Sequence, residues 1–199
     1  MVDVDWPASR DANGPRFTVL EGLSAVGKTT VAPLFADALG AEFIPSVLPE
    51  FDHVRRHIDR GWLVMARLHF WLMSNYALSE RVSAALASGR DVVVESYFYR
   101  TLATHTAMGA AYVPQIDWSR AVVPDLAVLL SVDEAVRQAR LASRSQSRGQ
   151  TFWHRLEESN VAVTRGVYST FGLVPVDTAG LSPAEVTREL VSLADAVRA

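Results

Sequence analysis

A glycine-rich segment near the N-terminus limits the possible folds more strictly than any other part of the chain. Residues 22–29 read GLSAVGKT and match the pattern G-x-x-x-x-G-K-[ST] at every position. An apolar run, residues 17–20, precedes it, and residues 29–39 follow with helical spacing up to Gly40. Such a loop works where a strand ends and a helix begins, because the loop N–H groups and the helix N-terminus must converge on one anion. The segment therefore predicts a phosphate-binding loop between a first strand and a first helix.

Short apolar runs alternate with longer helical stretches along the rest of the chain. Residues 17–20, 41–44, 91–95, 125–130 and 173–177 have the length and composition of buried strands. Helical spacing covers residues 29–39, 63–86 and 182–198, and the last of these begins with the capping pattern Ser182-Pro-Ala-Glu185. This alternation is typical of an α/β domain with a mostly parallel sheet. We predict a loose N-terminal arm over residues 1–15 and a single domain over residues 16–199.

Composition argues against several functional classes. The chain has 199 residues, of which 49% are hydrophobic, a net charge of −3 and no cysteine. Without cysteine there is no disulfide scaffold, thiolate metal site or cysteine nucleophile. The acidic balance argues against a nucleic-acid-binding surface, and no apolar run approaches the roughly 20 residues that a membrane span needs. The N-terminus lacks a secretory signal pattern, so we expect a cytoplasmic protein with neither nucleic acid nor a membrane as partner.

Lys28 is the only lysine among 19 basic residues. A G+C-rich coding sequence, which also favours alanine, would explain scarce lysine without a functional cause. The one ammonium nevertheless falls where the motif needs a compact charge that reaches the β- and γ-phosphates. The Thr29 hydroxyl would take a place on Mg²⁺. We predict that the nucleotide is bound by Gly22, Leu23, Ser24, Ala25, Val26, Gly27, Lys28, Thr29 and Thr30, with Lys28 also catalytic.

A phosphate loop indicates only that a nucleoside triphosphate binds, and three classes of protein share it. A GTPase-type switch needs an N-K-x-D motif, which a chain with its single lysine at position 28 lacks. Nucleic-acid-dependent and transport ATPases are usually larger, basic or multidomain. The class that remains is a small-molecule kinase.

Further motifs occur on both sides of the phosphate loop, in a fixed order along the chain. Residues 17–22, FTVLEG, precede VVVESY at 92–97, and Thr101-Leu-Ala103 comes next; then come residues 124–130, 139–144 and 176–186. This series resembles the thymidylate kinase and deoxynucleoside kinase branch of the P-loop kinases. The segment 92–97 is similar to the strand that ends in Asp-Arg-Tyr in thymidylate kinases and in Glu-Arg-Ser in deoxynucleoside kinases. The likeness spans residues 16–198.

The resemblance implies a three-layer P-loop NTPase fold, in which helices flank a five-stranded parallel sheet and an arginine-bearing lid follows. It also implies an ATP- and Mg²⁺-dependent phosphotransferase for a nucleoside or nucleotide, and a homodimer through the long helix over residues 63–88. Glu95 would orient Mg²⁺ through water or contact the acceptor, Arg144 and Arg148 would be catalytic lid residues, and Arg140 would serve the nucleotide site. Each of these side chains could instead be a solvated surface residue.

Arginines that thymidylate kinases carry around the acceptor are replaced by other residues in this chain. Thymidylate kinases carry arginines after the acid at the strand end, on the long helix and in a Thr-Arg-Glu-Pro-Gly motif, whereas this chain has Ser96, Ser74 and SVLPE at 46–50 in those places. A monophosphate carries about two negative charges and needs such cations. Arg55, Arg56, Arg67 or Arg100 could replace them from new positions. These departures favour a hydroxyl acceptor.

Pro49-Glu50-Phe resembles the Glu-Pro segment of deoxynucleoside kinases, whose glutamate acts on the acceptor 5′-hydroxyl. A hydroxyl must lose its proton as it attacks, so a carboxylate within reach is useful. Glu50 is therefore a candidate base, although a loop glutamate is more often only solvated. We predict acceptor binding by Glu50, Arg67, Phe70, Tyr97 and Arg100. Phe70 could instead pack against the sheet, and Arg67 could lie on the helix surface.

Other functions stay compatible with the sequence. These are a dTMP or other nucleoside monophosphate kinase proper, a kinase of another hydroxyl-bearing molecule such as an antibiotic or a sugar, and a nucleotide-binding regulator that has lost catalysis. Ser96, in place of arginine, is the argument for the regulator. Trp118 and Trp153 are interpreted as packing or interface residues.

Overall fold

A computed structural model describes residues 14–143 and 148–198, with the backbone alone for residues 148–151 and 198. Arg144 and most of the predicted arm lie outside these residues. The strands are β1 (Phe17–Glu21), β2 (Glu42–Ile44), β3 (Val92–Glu95), β4 (Leu126–Ser131) and β5 (Val174–Asp177). They form one sheet in the order β2-β3-β1-β4-β5, and every neighbouring pair is parallel.

Eight α-helices occur in the described part of the chain. They are α1 (Lys28–Leu39), α2 (Asp52–Ile58), α3 (Val64–Ala87), α4 (Phe98–Ala107), α5 (Glu134–Ala142), α6 (Arg148–Glu158), α7 (Val161–Tyr168) and α8 (Pro183–Arg198). Short 3₁₀ turns cover Pro49–Phe51 and Trp118–Arg120. The strands and helices predicted from periodicity are all present, because buried apolar runs and amphipathic stretches are local signals.

Helices cover both faces of the sheet. On one face, Phe35 of α1 and Leu190 of α8 are completely buried with Val128 of β4. On the other face, Leu68 and Leu78 of α3 are completely buried against the strands. The predicted five-stranded, three-layer α/β fold is confirmed.

The strand register places three loops side by side. Leu20 of β1 lies opposite Glu95 of β3 and Val128 of β4, so these parallel strands end at the same edge of the sheet. The loop after β1 therefore lies between the turn after β3 and the loop after β4. In open parallel sheets, ligands bind at this edge.

The predicted capping pattern of the last helix is also present. The Ser182 N–H donates to the Glu185 carboxylate at 2.8 Å, and the Glu185 N–H donates to the Ser182 hydroxyl at 3.3 Å. This reciprocal pair satisfies two N–H groups that the first turn of α8 would otherwise leave without partners.

Candidate active site

The phosphate loop connects β1 to α1 through backbone conformations that require glycine. Gly22 has φ 139°, and a Cβ at this position would lie 2.5 Å from the carbonyl oxygen of Leu130. Gly27 has φ 111° and immediately precedes the first residue of α1. The loop therefore reaches its tight turn only because both positions lack a side chain. The positive end of the α1 dipole then faces the concavity of the loop.

Lys28 is buried beneath this loop. Its Nζ donates to the carbonyl oxygens of Gly22 at 2.7 Å and Leu23 at 2.9 Å. Burial and, to a lesser extent, the charge of Arg100 together lower the pKa of Lys28 to about 7, although Glu21, Glu157 and Glu95 oppose the shift. An anion beside Lys28 would favour its charged form.

Two oxygen donors at the loop are available to a metal ion. Thr29 is exposed at the start of α1. Glu95 ends β3, and its Oε2 is buried without a hydrogen-bond partner among the described residues. Hydroxyl and carboxylate oxygens are ligands that Mg²⁺ prefers. These side chains therefore fit a magnesium ion shared with phosphate oxygens.

A second concavity adjoins the other side of the loop. It has a volume of about 280 Å³ and lies between the loop, α1, α5 and the start of α8. Arg140 lines it and donates from Nη1 to the Ala25 carbonyl at 3.4 Å. The remaining walls include Ser143, Thr178, Leu181, Pro183 and Val186. Because it adjoins the phosphate site, this concavity is suited to the rest of a nucleotide.

A cavity of about 100 Å³ lies on the opposite side of the loop, between α3, α4 and α6. Its lining is polar and aromatic, with two arginines, two tryptophans, two histidines and one glutamate. The lining residues are Ser46, Arg67, Trp71, Asn75, Ser96, Tyr97, Arg100, Thr101, Thr104, His105, Met108, Trp153, His154 and Glu157.

Arg100 joins this cavity to the phosphate loop. It donates to the Gly22 carbonyl at 2.8 Å and to the Ser24 hydroxyl at 3.1 Å. It also donates to both carboxylate oxygens of Glu157, at 2.9 and 3.0 Å. Burial tends to raise the pKa of Glu157, but Arg100 and Lys28 hold it below its usual value. The charge of Arg100 is therefore matched within the protein.

The charge of Arg67, which also lines the cavity, is likewise balanced by a carboxylate. Its Nε donates to the Asp59 carboxylate at 3.2 Å. The guanidinium carbon lies 5.4 Å from the ring centre of Trp71 and 5.0 Å from that of Trp153. Trp153 also donates to the Asp59 carbonyl at 3.1 Å, which fixes α6 over the cavity. Cation–π contacts at these distances stabilise a guanidinium that water does not solvate.

His105 is a neutral member of the cavity wall. A ring nitrogen, Nδ1, lies 2.7 Å from the Thr101 carbonyl oxygen, so Nδ1 carries the proton. Nε2 then accepts from Arg67 Nη1 at 3.2 Å. Burial and, to a lesser extent, the charge of Arg67 together lower the pKa of His105 to about 3. This histidine therefore orients Arg67 without adding charge.

Comparisons with known proteins agree with this geometry. No family model matches the sequence. A probable thymidylate kinase from Methanococcus vannielii is 26% identical over 191 residues, which cover 88% of this chain and 93% of the relative. Thymidylate kinase from Candida albicans superimposes with a TM-score of 0.71 and 15% identity over 94% of each chain.

The chain is thus similar to thymidylate kinases in sequence and in fold. The predicted resemblance and the P-loop NTPase fold are confirmed. The relatives support a nucleotide kinase and thus an ATP-dependent phosphotransferase. None of the described helices is long and apolar enough to span a membrane.

The structure brings most of the predicted site residues to one edge of the sheet. Residues 25–27, Thr30 and Arg140 line the concavity of about 280 Å³, and Glu95 ends the strand next to β1. Arg67, Tyr97 and Arg100 line the cavity on the other side. Arg148 begins α6, whose first residues are described by backbone alone.

Two predicted acceptor residues lie elsewhere. Glu50 is exposed on the 3₁₀ turn Pro49–Phe51 and is not part of the described cavity wall. Phe70 is buried with 6% exposure, and its neighbour Trp71 lines the cavity instead. Successive helical residues point about 100° apart, so the face of α3 that meets the cavity is the one with Arg67, Trp71 and Asn75 at four-residue spacing.

Several residues in or beside the cavity wall could not be identified from the sequence alone. Trp153, interpreted there as a packing or interface residue, and Glu157 both lie in the cavity wall on α6. Arg137 of α5 is completely buried, donates to the Ser24 carbonyl at 3.3 Å and bonds the Glu158 carboxylate at 2.7 Å. The four-residue spacing of Trp153 and Glu157 was the available signal, but nothing local indicates which element that face meets.

Proposed function

We propose that this protein is an ATP- and Mg²⁺-dependent kinase that transfers the γ-phosphoryl group to a hydroxyl of a nucleoside-like small molecule. One observation carries the proposal: Arg100 joins a complete phosphate loop to a cavity in which each arginine is already paired with a carboxylate. The loop supports the donor, and the paired arginines support an uncharged acceptor.

On the donor side, the loop backbone and Lys28 hold the β- and γ-phosphates. Lys28 leaves its two carbonyl partners, Gly22 and Leu23, for phosphate oxygens that offer full negative charge. Arg140 and the concavity of about 280 Å³ beside it receive the rest of the nucleotide. This arrangement positions the γ-phosphoryl group at the end of β1.

Thr29 and Glu95 would hold the metal ion. When bound, Mg²⁺ neutralises charge that develops on the phosphates during transfer. The unpartnered Glu95 Oε2 is the observation that supports this role. Glu95 can serve either directly or through a water molecule.

On the acceptor side, a monophosphate would need an unmatched cation. Arg67 is matched by Asp59 and Arg100 by Glu157, so binding about two further negative charges would first break a buried ion pair. A hydroxyl carries no such requirement. It must instead lose a proton, and a carboxylate near the γ-phosphate can accept it. We assign this role to Glu95 and keep Glu50 as the alternative base.

The acceptor cavity must widen before a nucleoside enters. Its volume of about 100 Å³ is below the range of roughly 300–1,000 Å³ that is usual for small-molecule sites. Trp153, His154 and Glu157 form the wall contributed by α6. We therefore propose that α6, which begins at the predicted catalytic residue Arg148, moves outward for acceptor binding.

A second candidate acceptor is a nucleoside monophosphate, dTMP above all. The observation in its favour is that both related proteins are described as thymidylate kinases. Glu157 would then leave Arg100, and the acceptor phosphate would take its place.

A substrate panel tests both candidates. ADP release is measured with nucleosides, nucleoside monophosphates and other hydroxyl compounds, each with ATP and Mg²⁺, and Lys28→Ala serves as the inactive control. Turnover of nucleosides alone supports the hydroxyl acceptor. Turnover of monophosphates alone selects the second candidate, and tight ATP binding without turnover on any acceptor indicates a regulator.

A further inference from the structure

Glu21 is the last residue of β1 and directly precedes the phosphate loop. Its side chain is completely buried, with 0% exposure. Burial of a carboxylate is costly unless its oxygens are hydrogen-bonded and its charge is matched. Partners outside its own strand are therefore expected for the Glu21 carboxylate.

Both carboxylate oxygens of Glu21 accept a hydrogen bond from a different element. Oε1 accepts the backbone N–H of Tyr97 at 2.7 Å, which joins β1 to the turn between β3 and α4. Oε2 accepts the Tyr168 hydroxyl at 3.1 Å, which joins β1 to the last residue of α7. One side chain thus connects three parts of the fold.

The turn that Glu21 contacts has an unfavourable backbone conformation. Ser96 has φ 67°, in the left-handed region that residues with a side chain rarely adopt. The Ser96 N–H donates to the Leu20 carbonyl at 2.9 Å, and the next N–H donates to Glu21. Such a conformation persists only where its surroundings hold it. Glu21 supplies one of these two restraints.

Functional groups lie on both sides of the restrained turn. Glu95, the proposed metal ligand and base, immediately precedes it. Arg100 follows on the first turn of α4 and donates to the Gly22 carbonyl. Through Tyr168, the same carboxylate also holds α7, which follows the helix that carries Glu157.

We propose that Glu21 is a positioning residue: through Tyr97 and Tyr168 it fixes the β3–α4 turn and α7 relative to the phosphate loop, and it touches neither substrate. This inference rests on the proposed kinase function. The length and the hydrogen bonds of the side chain perform the role, rather than its charge. Glutamine has the same length and can form both hydrogen bonds, because its amide oxygen accepts from the Tyr97 N–H and its amide nitrogen donates to the Tyr168 hydroxyl.

Two substitutions separate position from charge. Glu21→Asp keeps the charge but shortens the side chain by one methylene, so it cannot reach both partners. Glu21→Gln keeps the reach and removes the charge. We expect Glu21→Asp to lower kcat by roughly 30-fold or more with little change in KM for ATP, since small misplacements of reacting groups are costly. Glu21→Gln should restore kcat to within about threefold of the wild type.

Two further tyrosine variants complete the kinetic set. Tyr168→Phe removes only the bond to α7 and should give an intermediate loss. Tyr112→Phe is the matched control, because its hydroxyl contacts the exposed His69 far from the loop. A loss in Glu21→Gln as large as that in Glu21→Asp, or wild-type kcat in both, would overturn the proposal.

Hydrogen exchange at the Tyr97 amide gives a readout that needs no acceptor. In the ligand-free full-length protein, this amide should exchange slowly in the wild type and in Glu21→Gln, and at least tenfold faster in Glu21→Asp. Equal rates in all three proteins contradict the proposal. If the wild type turns over no acceptor, the proposed function fails, while the exchange rates still decide the role of Glu21.

Discussion

Arg100 and Glu157 form a bifurcated ion pair, in which both carboxylate oxygens lie within 3.0 Å of the same guanidinium nitrogen. Arg100 belongs to α4 and Glu157 to α6, so the pair closes the acceptor cavity beside the phosphate loop. Glu157 also lies 3.4 Å from the Ser24 hydroxyl in the loop. A carboxylate of α6 therefore occupies a position where a phosphate oxygen would also be stabilised.

The energetic value of this pair can be measured by a double-mutant cycle. Arg100→Ala, Glu157→Ala and the double variant are compared by urea unfolding. We expect a coupling free energy of about 2 kcal/mol or more, because removal of one partner leaves the other charged and largely buried. The exposed pair Arg188 and Glu185, 4.0 Å apart, is the control and should give less than about 0.5 kcal/mol. Equal coupling in the two cycles would contradict the assigned role.

Lys28 should tolerate neither loss of charge nor change of shape. We expect Lys28→Ala to abolish phosphoryl transfer and Lys28→Arg to lower kcat at least 100-fold, since the buried Nζ lies between two carbonyl oxygens where a wider guanidinium does not fit. ADP release measures the rate, and circular dichroism verifies the fold. The control is Arg188→Lys, an exchange between the same two residue types at an exposed position, which should leave kcat unchanged. Near-normal turnover by Lys28→Arg would contradict a direct contact with phosphate.

Glu95 and Glu50 should differ sharply as candidate bases. We expect Glu95→Gln to lower kcat by about 10²–10⁴-fold, the range typical of general acid–base groups. It should also raise the Mg²⁺ concentration needed for half-maximal rate. Glu50→Gln should change kcat by less than about threefold, because Glu50 is exposed on its 3₁₀ turn. The reverse result would assign the base to Glu50 and require that turn to move towards the cavity.

We expect His105 to lower the free energy of unfolding as the pH falls. Burial, with Arg67 and Arg100 adding to it, lowers the pKa of His105 to about 3 in the folded protein, against about 6.5 in an unfolded chain. Between these values the unfolded state binds more protons, so the contribution is complete above about pH 6.5 and is lost as the pH falls towards 3. From pH 7 to pH 5 the loss amounts to about 2 kcal/mol.

Urea unfolding of the wild type and His105→Gln at both pH values isolates this contribution, because the other titrating groups are common to the two proteins. The variant should lose about 2 kcal/mol less between pH 7 and pH 5. The exposed His53→Gln is the control and should follow the wild type. A variant with the wild-type pH dependence would show that His105 is not buried as a neutral ring.

The strands, the long helices and the phosphate loop could all be predicted from local patterns. Residues 22–29 are contiguous, and their requirements are set by neighbouring atoms, such as the Leu130 carbonyl that excludes a side chain at Gly22. The acceptor side was predicted only in part. Arg67, Tyr97 and Arg100 lie in the wall of the cavity proposed for the acceptor, whereas Phe70 and Glu50 do not.

These two differences have separate physical reasons. Trp71 rather than Phe70 faces the cavity, because a step of one residue turns the side chain by about 100° around a helix, and family likeness does not specify that rotation. Glu50 lies in a turn whose place depends on the packing of α2 and α3. Neither property is contained in the spacing of the residues.

The sequence by itself determined the nucleotide side of this protein, since a strand, a glycine turn, Lys28 and Thr29 are joined through the chain and need no distant partner to form the loop. Only the tertiary structure decided the acceptor side. Arg67, Arg100 and Glu157 come from three helices far apart in sequence, and their pairing depends on how those helices pack over the sheet. That pairing determines which charges an acceptor meets, because a buried cation that is already matched no longer attracts a phosphate.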